Sequence, residues 1–216
     1  MEHDLIHGVW HVDKGILFTL KELFTRPGHG VREFIEGKRV NYFSFVTLIL
    51  LILTISAMLA PYVHIKMADL VPQQSREMMN SVEKFMAAYP KLVLIISIPL
   101  YSLFSFAWFY KARLNYSEHL VLNSYRIIPE MLIGLLLSIL TIFYTNTAVL
   151  SVLYLGFLTL FSFLYSIFFY YQFFSAYGYS KKSLLLRSVM MPVSYLLLSF
   201  LIGIVVGVVK LLLKMH

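Results

Sequence analysis

The sequence contains no cysteine and few charged residues. Without cysteine, the chain cannot build a disulfide scaffold, a thiol nucleophile, an iron–sulfur cluster or a zinc ribbon. Only 13% of the side chains are charged, whereas a soluble domain carries about 25%. Because 59% of the side chains are hydrophobic and the mean hydropathy is +0.77, the composition excludes an ordinary soluble domain and indicates a membrane protein.

Enzyme and cofactor motifs are also missing. The sequence contains no His-Glu-x-x-His zinc motif and no Gly-x-Ser-x-Gly nucleophile turn. His3, His7 and His11 share one helical face, but no cysteine or well-placed carboxylate joins them, so we expect no metal there. We therefore predict a protein that is not an enzyme and that needs no cofactor.

The charge that is present is mostly positive. The formal net charge is +7, which in a soluble protein would suggest nucleic acid as a partner. In a chain this apolar, Lys and Arg beside membrane spans are the usual source of such a charge. We expect the lipid bilayer to be the partner and expect no nucleic acid.

Long uncharged runs predict where the chain crosses the membrane. A bilayer core about 30 Å thick needs about 20 mostly apolar helical residues. Residues 131–180 contain no charged residue and would form a helix about 75 Å long, so the chain must turn back within them, at the polar Thr145-Asn146-Thr147. The predicted spans cover about residues 42–62, 92–110, 128–144, 148–169 and 190–209.

These spans predict an all-α fold, a polytopic membrane helix bundle with five transmembrane helices. Residues 1–41 would form a cytoplasmic amphipathic region and residues 42–216 the membrane domain. The connections on the N-terminal side carry more Lys and Arg than those on the other side, which favours an N-terminus inside and a C-terminus outside the bacterial cytoplasmic membrane.

An amphipathic helix is predicted ahead of the first span, over residues 4–24. Its apolar side chains recur three or four residues apart, at Leu5, Val9, Val12, Ile16, Leu20 and Leu23. Two placements remain open for it. The helix either lies on the lipid, with Lys14 and Lys21 near anionic headgroups, or caps the bundle.

Two further surface helices are predicted. Pro27-Gly28 would end the first amphipathic helix, and a short second helix would cover residues 31–36, followed by Gly37 as its C-terminal glycine. On the outer side, apolar residues again repeat at helical spacing, at Met78, Val82, Phe85 and Tyr89.

Residues 26–42 read RPGHGVREFIEGKRVNY and resemble a bacterial family of membrane proteins that is known only as a domain of unknown function. The stretches at residues 15–20 and 116–121 fit the same family. The resemblance implies no activity, and the paired cysteines with which family members often begin are absent here, so it implies no metal. The motif can also be interpreted structurally, as a helix stop, a short helix, a cap and a basic anchor. The motif residues are Pro27, Gly28, Arg32, Glu33, Gly37, Lys38 and Arg39.

The five-span architecture is more loosely similar to that of Yip-type membrane-trafficking proteins.

A polar face on the third predicted helix is the strongest candidate site. His119, Asn123, Arg126 and Glu130 follow one another at helical spacing. Because a charge at mid-membrane depth costs about 2.5–3.5 kcal/mol, Arg126 and Glu130 should pair and face the bundle interior, as a polar path or proton relay. Alternatively, these residues lie at the cytoplasmic interface, and Pro129 marks where the helix enters the membrane.

Two functional hypotheses follow. The first is a non-enzymatic protein that organises the membrane or binds a protein partner through its basic N-terminal helices. The second is a small transporter or channel that uses the polar face of the third span. In the fifth span, Gly203 and Gly207 form a small-residue pair that permits close helix packing, either within the chain or in a homo-oligomer.

Overall fold

The computed structural model describes the backbone of residues 2–214 and the side chains of residues 14–202. Within them the fold is all-α and contains no strand. Short 3₁₀ turns cover Ala60–Tyr62, Met67–Leu70, Gln73–Ser75 and Tyr110–Ala112, and a π-helical segment covers Val152–Leu158. The α-helices are α1 (Glu2–Thr25), α2 (Pro27–Ile35), α3 (Phe45–Leu59), α4 (Arg76–Ala88), α5 (Pro90–Trp108), α6 (Tyr116–Phe143), α7 (Thr147–Ser151), α8 (Thr159–Phe174) and α9 (Lys181–Lys214).

Among the described residues, five helical stretches are long and apolar enough to cross a membrane. They are Phe45–Tyr62, Pro90–Trp108, Tyr116–Phe143, Thr147–Phe174 and Lys181–Ile202. In the fourth, α7, the π-helical segment and α8 run on without a break. Many large side chains on the outer surface, such as Ile95, Leu136 and Phe200, are exposed, as expected for helices that face lipid.

The third membrane-spanning helix, α6, begins at Tyr116, twelve residues before the predicted start of its span at residue 128. The fifth, α9, begins at Lys181, nine residues before the predicted start at residue 190. The reason is that uncharged runs mark the part of a helix that suits lipid, whereas its start is set by capping. Asn115 Oδ1 accepts a hydrogen bond from the Glu118 amide at 2.8 Å, and Glu118 Oε2 accepts one from the Asn115 amide at 2.7 Å. This capping box fixes the start of α6 at Tyr116.

The N-terminal helices pack against one end of the bundle, which we call the capped end. At this end lie the first residues of α3, α6 and α9 and the last residues of α5 and α8. In α1, Thr19 Oγ1 accepts a hydrogen bond from the Phe43 amide at 2.7 Å, and the Leu23 carbonyl accepts one from the Tyr165 hydroxyl at 2.9 Å. The described part of α1 therefore caps the bundle, which was one of the two placements left open by the sequence.

The second helix starts at Pro27, four residues before the predicted start at residue 31. Pro27-Gly28 was predicted only to end the first helix. Proline suits the first turn of a helix because its missing N–H would have no partner there, so the same residue ends α1 and begins α2. At the other end, Gly37 adopts a φ of +106° and closes the helix as predicted.

At the opposite end of the bundle, α4 covers Arg76–Ala88 and carries the first three residues of the predicted apolar stripe, and the fourth, Tyr89, directly follows the helix. Met78, Val82, Phe85 and Tyr89 are all exposed.

Gly28 brings the backbones of α2 and α8 into direct contact. Its amide donates a hydrogen bond to Gln172 Oε1 at 3.2 Å. A Cβ at this position would overlap the backbone nitrogen of Phe173 and lie 2.5 Å from the carbonyl oxygen of Phe169. Backbone atoms of a helix cannot give way as a side-chain end can, so only glycine permits this packing.

We expect Gly28→Ala to lower the free energy of unfolding by about 1–3 kcal/mol, because the added methyl group separates α2 from α8. Gly134→Ala in α6 is the matched control, since a Cβ there meets no atom within 4 Å. The control should be neutral or stabilising by up to about 1 kcal/mol. Unfolding of both variants in mixed micelles measures the difference, and equal stabilities would contradict the close contact.

Candidate functional site

The four polar residues predicted on the third helix all face the interior of the bundle. His119, Asn123 and Arg126 are buried, and the Glu130 side chain keeps 17% of its surface exposed. They separate into two clusters. His119 and Asn123, near the start of α6, belong to the upper cluster. Arg126 and Glu130 belong to the lower cluster.

The upper cluster joins three spans through hydrogen bonds. His119 Nδ1 lies 2.8 Å from Ser105 Oγ of α5, and Asn123 Nδ2 donates to the same oxygen at 2.9 Å. The hydroxyl of Tyr170 in α8 donates to Asn123 Oδ1. The Ser105 and His119 side chains have the separation of a nucleophile and its base, but both are fully buried. This cluster therefore fastens helices together.

The lower cluster is an ion pair within one helix. Arg126 Nη1 donates to Glu130 Oε1 at 2.6 Å and to Ser166 Oγ of α8 at 2.7 Å. The guanidinium carbon lies 4.0 Å from the centre of the Tyr101 ring in α5, which stacks on Tyr195 of α9 at 3.9 Å between ring centres. Arg126 thus touches α5 and α8 directly and has only 1% of its side chain exposed.

Arg126 lies in the half of α6 nearest the capped end. The hydroxyl of Tyr125, which precedes Arg126, donates to the Phe43 carbonyl at 2.9 Å, two residues before α3 begins. Glu130 lies about one turn further inside. Pro129 is internal to α6, which continues to Phe143. Arg126 and Glu130 thus lie inside the bundle, between the capped end and the middle of α6, and protein surrounds the charges on all sides except one.

On that remaining side, Glu130 meets a cavity of about 550 Å³ between α5, α6, α8 and α9. The cavity extends from Glu130 towards the middle of the bundle. Most of its wall is apolar or aromatic, which is typical of ligand sites. Its polar lining residues are Tyr101, Glu130, Thr159, Ser162, Ser166 and Tyr195.

Irregular helix segments surround the cavity. Pro99 precedes Tyr101 by two residues, Pro129 precedes Glu130, and Pro192 lies in the wall itself. Gly156, another wall residue, belongs to the π-helical segment. Each proline removes a backbone donor from its helix. In membrane proteins, such interruptions are tolerated where protein or a water-filled space can satisfy the backbone, and they often mark functional sites.

The residues of the N-terminal motif form internal contacts. Arg32 Nη1 donates to the carbonyl of Phe173 at 3.1 Å and to that of Gln172 at 3.3 Å, at the last turn of α8. Glu33 pairs with Arg26 at 3.2 Å. Lys38 and Arg39 follow in an exposed segment, where Arg39 also lies over the Phe34 ring. Pro27, Gly28, Arg32 and Glu33 thus attach α2 to its neighbours, whereas Gly37, Lys38 and Arg39 at the end of the motif are exposed.

The prediction missed the residues that α5, α8 and α9 contribute to the cavity. A signal for α8 was present, because Thr159, Ser162 and Ser166 recur at helical spacing within an apolar run. Of the other candidates, Gly203 and Gly207 and the side chains of His3, His7 and His11 lie outside the residues whose packing is described. The described residues contain no group of three potential metal ligands.

The five apolar helices, with a buried ion pair beside a cavity, define a multi-pass membrane helix bundle with a polar site inside it. Residues 13–57 match a family model described as "Protein of unknown function (DUF3667)", which confirms the predicted resemblance to a family of unknown function. No curated protein and no solved structure matches the chain. The matched region ends within α3 and does not include the cavity.

His29 makes the contact between α2 and α8 sensitive to pH. Its Nδ1 lies 2.9 Å from Arg32 Nη2, so this nitrogen accepts a hydrogen bond and the ring is neutral. Burial, and next the positive charges of Arg32 and Arg26, lower the pKa of His29 below its ordinary value of 6.5, against a smaller opposite effect of Glu33. The unfolded chain therefore takes up this proton first, and His29 reduces stability as the pH falls below about 6.5.

We expect wild-type protein to lose more thermal stability between pH 7.5 and pH 5.5 than His29→Asn, because Asn offers Arg32 an oxygen acceptor that does not titrate. Unfolding temperatures of both proteins in the same buffers provide the comparison. Every other titratable group is shared by the two proteins, so parallel pH profiles would show that His29 does not stabilise the contact.

Proposed function

We propose that the protein is a small membrane transporter that binds its solute in the cavity beside Glu130. The single observation that carries the proposal is the position of the Glu130 carboxylate. It is paired with a fully buried arginine on one side and lines an open cavity between four spans on the other.

The cost of the ion pair supports a functional role. Taking two charges out of water costs several kcal/mol per ion before their attraction is counted, and apolar residues of similar volume often stabilise a protein at least as well. A bundle that needed only to fold would gain little from Arg126 and Glu130. Ionisable residues inside membrane proteins commonly belong to solute or ion pathways.

The irregular helix segments support movement around the site. The π-helical segment Val152–Leu158 and Pro192 lie in the two helices that form one side of the cavity. Helix interruptions near a central site are a common feature of transporters, in which one group of helices moves against another. The same helices can thus bind a solute and open the cavity.

Organisation of a protein partner is the second proposal, and one observation favours it. On the outer face of α1, Leu17 is 68% exposed and Phe24 is 43% exposed, with Lys14 and Lys21 beside them. Exposed apolar side chains among basic ones suit a partner or a lipid surface. Since the residues of α2 are engaged within the protein, α1 is the better surface for this role.

The proposed location is the bacterial cytoplasmic membrane, with the capped end in the cytoplasm. Support comes from the basic residues that this end exposes. They are Lys14, Lys21, Arg26, Lys38, Arg39, Lys111, Arg113, Lys181 and Lys182. With five crossings, the C-terminus would lie outside. We propose no enzymatic activity for the chain.

A transporter must give water access to its cavity from both sides of the membrane. Because the chain has no cysteine, single cysteines can be placed without background. We expect Ser162→Cys, in the cavity wall, to react with a membrane-impermeant thiol reagent in sealed vesicles of either orientation. Leu164→Cys is the matched control, because Leu164 is 54% exposed on the lipid-facing side and should not react.

Reaction of Ser162→Cys from both sides would support transport, since thiol reagents modify only thiolates that water can reach. Reaction from one side only, or from neither, would contradict it. A protein that only binds a partner through α1 gives no reason for access from both sides.

A further inference from the structure

We propose that the cavity binds an amphipathic organic cation. This inference rests on the proposed function, because it names the class of solute for the same site. Two features of the wall lead to it. One is the sign of the charge in the cavity wall, and the other is the apolar surface around that charge.

The charge at the wall is negative. Among the described residues, Glu130 is the charged side chain that lines the cavity, whereas Arg126 lies behind it with 1% of its side chain exposed. A molecule in the cavity therefore meets the carboxylate before the guanidinium. Attraction between opposite charges is stronger here than in water, because the surroundings are apolar.

One oxygen of the carboxylate is available to a solute. Arg126 holds Oε1 at 2.6 Å, and no described residue donates a hydrogen bond to Oε2. Arg126 thus holds one carboxylate oxygen, and the Glu130 side chain lines the cavity. Thr159 and Ser162, one turn apart on α8, add hydroxyl groups to the wall.

The rest of the wall requires an apolar body on the solute. Leu155, Leu158, Phe163 and Leu196 line the cavity, and its volume of about 550 Å³ suits a drug-sized molecule. A bare metal cation would need several oxygen ligands around it, whereas this wall supplies one carboxylate. An organic cation with aromatic or aliphatic groups satisfies both the charge and the surface.

Tetraphenylphosphonium and tetraphenylborate test the inference, because they have nearly the same shape and opposite charge. Binding is measured by equilibrium dialysis with the full chain in lipid nanodiscs, with empty nanodiscs subtracted. We expect saturable binding of the cation by wild-type protein and none of the anion. Glu130→Gln should weaken cation binding about tenfold or more, as expected for loss of one charge–charge contact.

Since Glu130→Gln leaves Arg126 without its partner, a second variant keeps the test independent of folding. Ser162→Phe fills the cavity and leaves the ion pair intact, and it should also abolish binding. Leu164→Phe makes the same change on the lipid-facing side and should bind as wild type does.

Three results would overturn the inference. They are preferential binding of the anion, saturable binding of neither ion, and cation binding that survives Ser162→Phe. The labelling of Ser162→Cys separates these failures from failure of the proposed function. Labelling from both sides together with any of these results would reject only the class of solute, whereas the absence of labelling would reject transport itself.

Discussion

A charge inside an apolar helix bundle must find its partner within the protein. Arg126 meets this constraint through Glu130, Ser166 and the Tyr101 ring, and these contacts bring α5, α6 and α8 to one point. The aromatic stack of Tyr101 on Tyr195 extends the contact to α9. The four spans around the cavity are therefore arranged about the guanidinium group of Arg126. The carboxylate that neutralises this group, that of Glu130, lines the cavity.

The N-terminal motif and the cavity are connected through α8. Gly28 and Arg32 of α2 hold the last turn of this helix, at Gln172 and Phe173, and Ser166 of the same helix binds Arg126. About two turns separate the two contacts. The region matched by the family model, residues 13–57, thus includes the parts that position α8 but none of the residues that line the cavity. Its motif is best understood as the attachment of α2, with a basic segment after it.

The sequence predicted the all-α class and five spans because both depend on local properties, namely the lengths of apolar runs and their helical periodicity. It also placed four polar residues on one face of α6, since helical spacing alone decides this. It missed the start of α2 at Pro27, because the same residue can end one helix or begin the next. The cavity was beyond prediction, since its walls come from α5, α6, α8 and α9, whose pairing depends on contacts between residues far apart in the chain, such as Arg126 and Ser166.

The arrangement of the four spans depends most on the coupling between Arg126 and Glu130, and a double-mutant cycle measures this coupling directly. The free energies of unfolding are compared for Arg126→Met, Glu130→Gln and the double variant. Removal of Arg126 alone leaves a buried carboxylate unpaired and should cost about 3–5 kcal/mol. We expect the double variant to be more stable than Arg126→Met. If instead the two costs simply add, the charges do not form the buried pair on which the cavity and its proposed role are based.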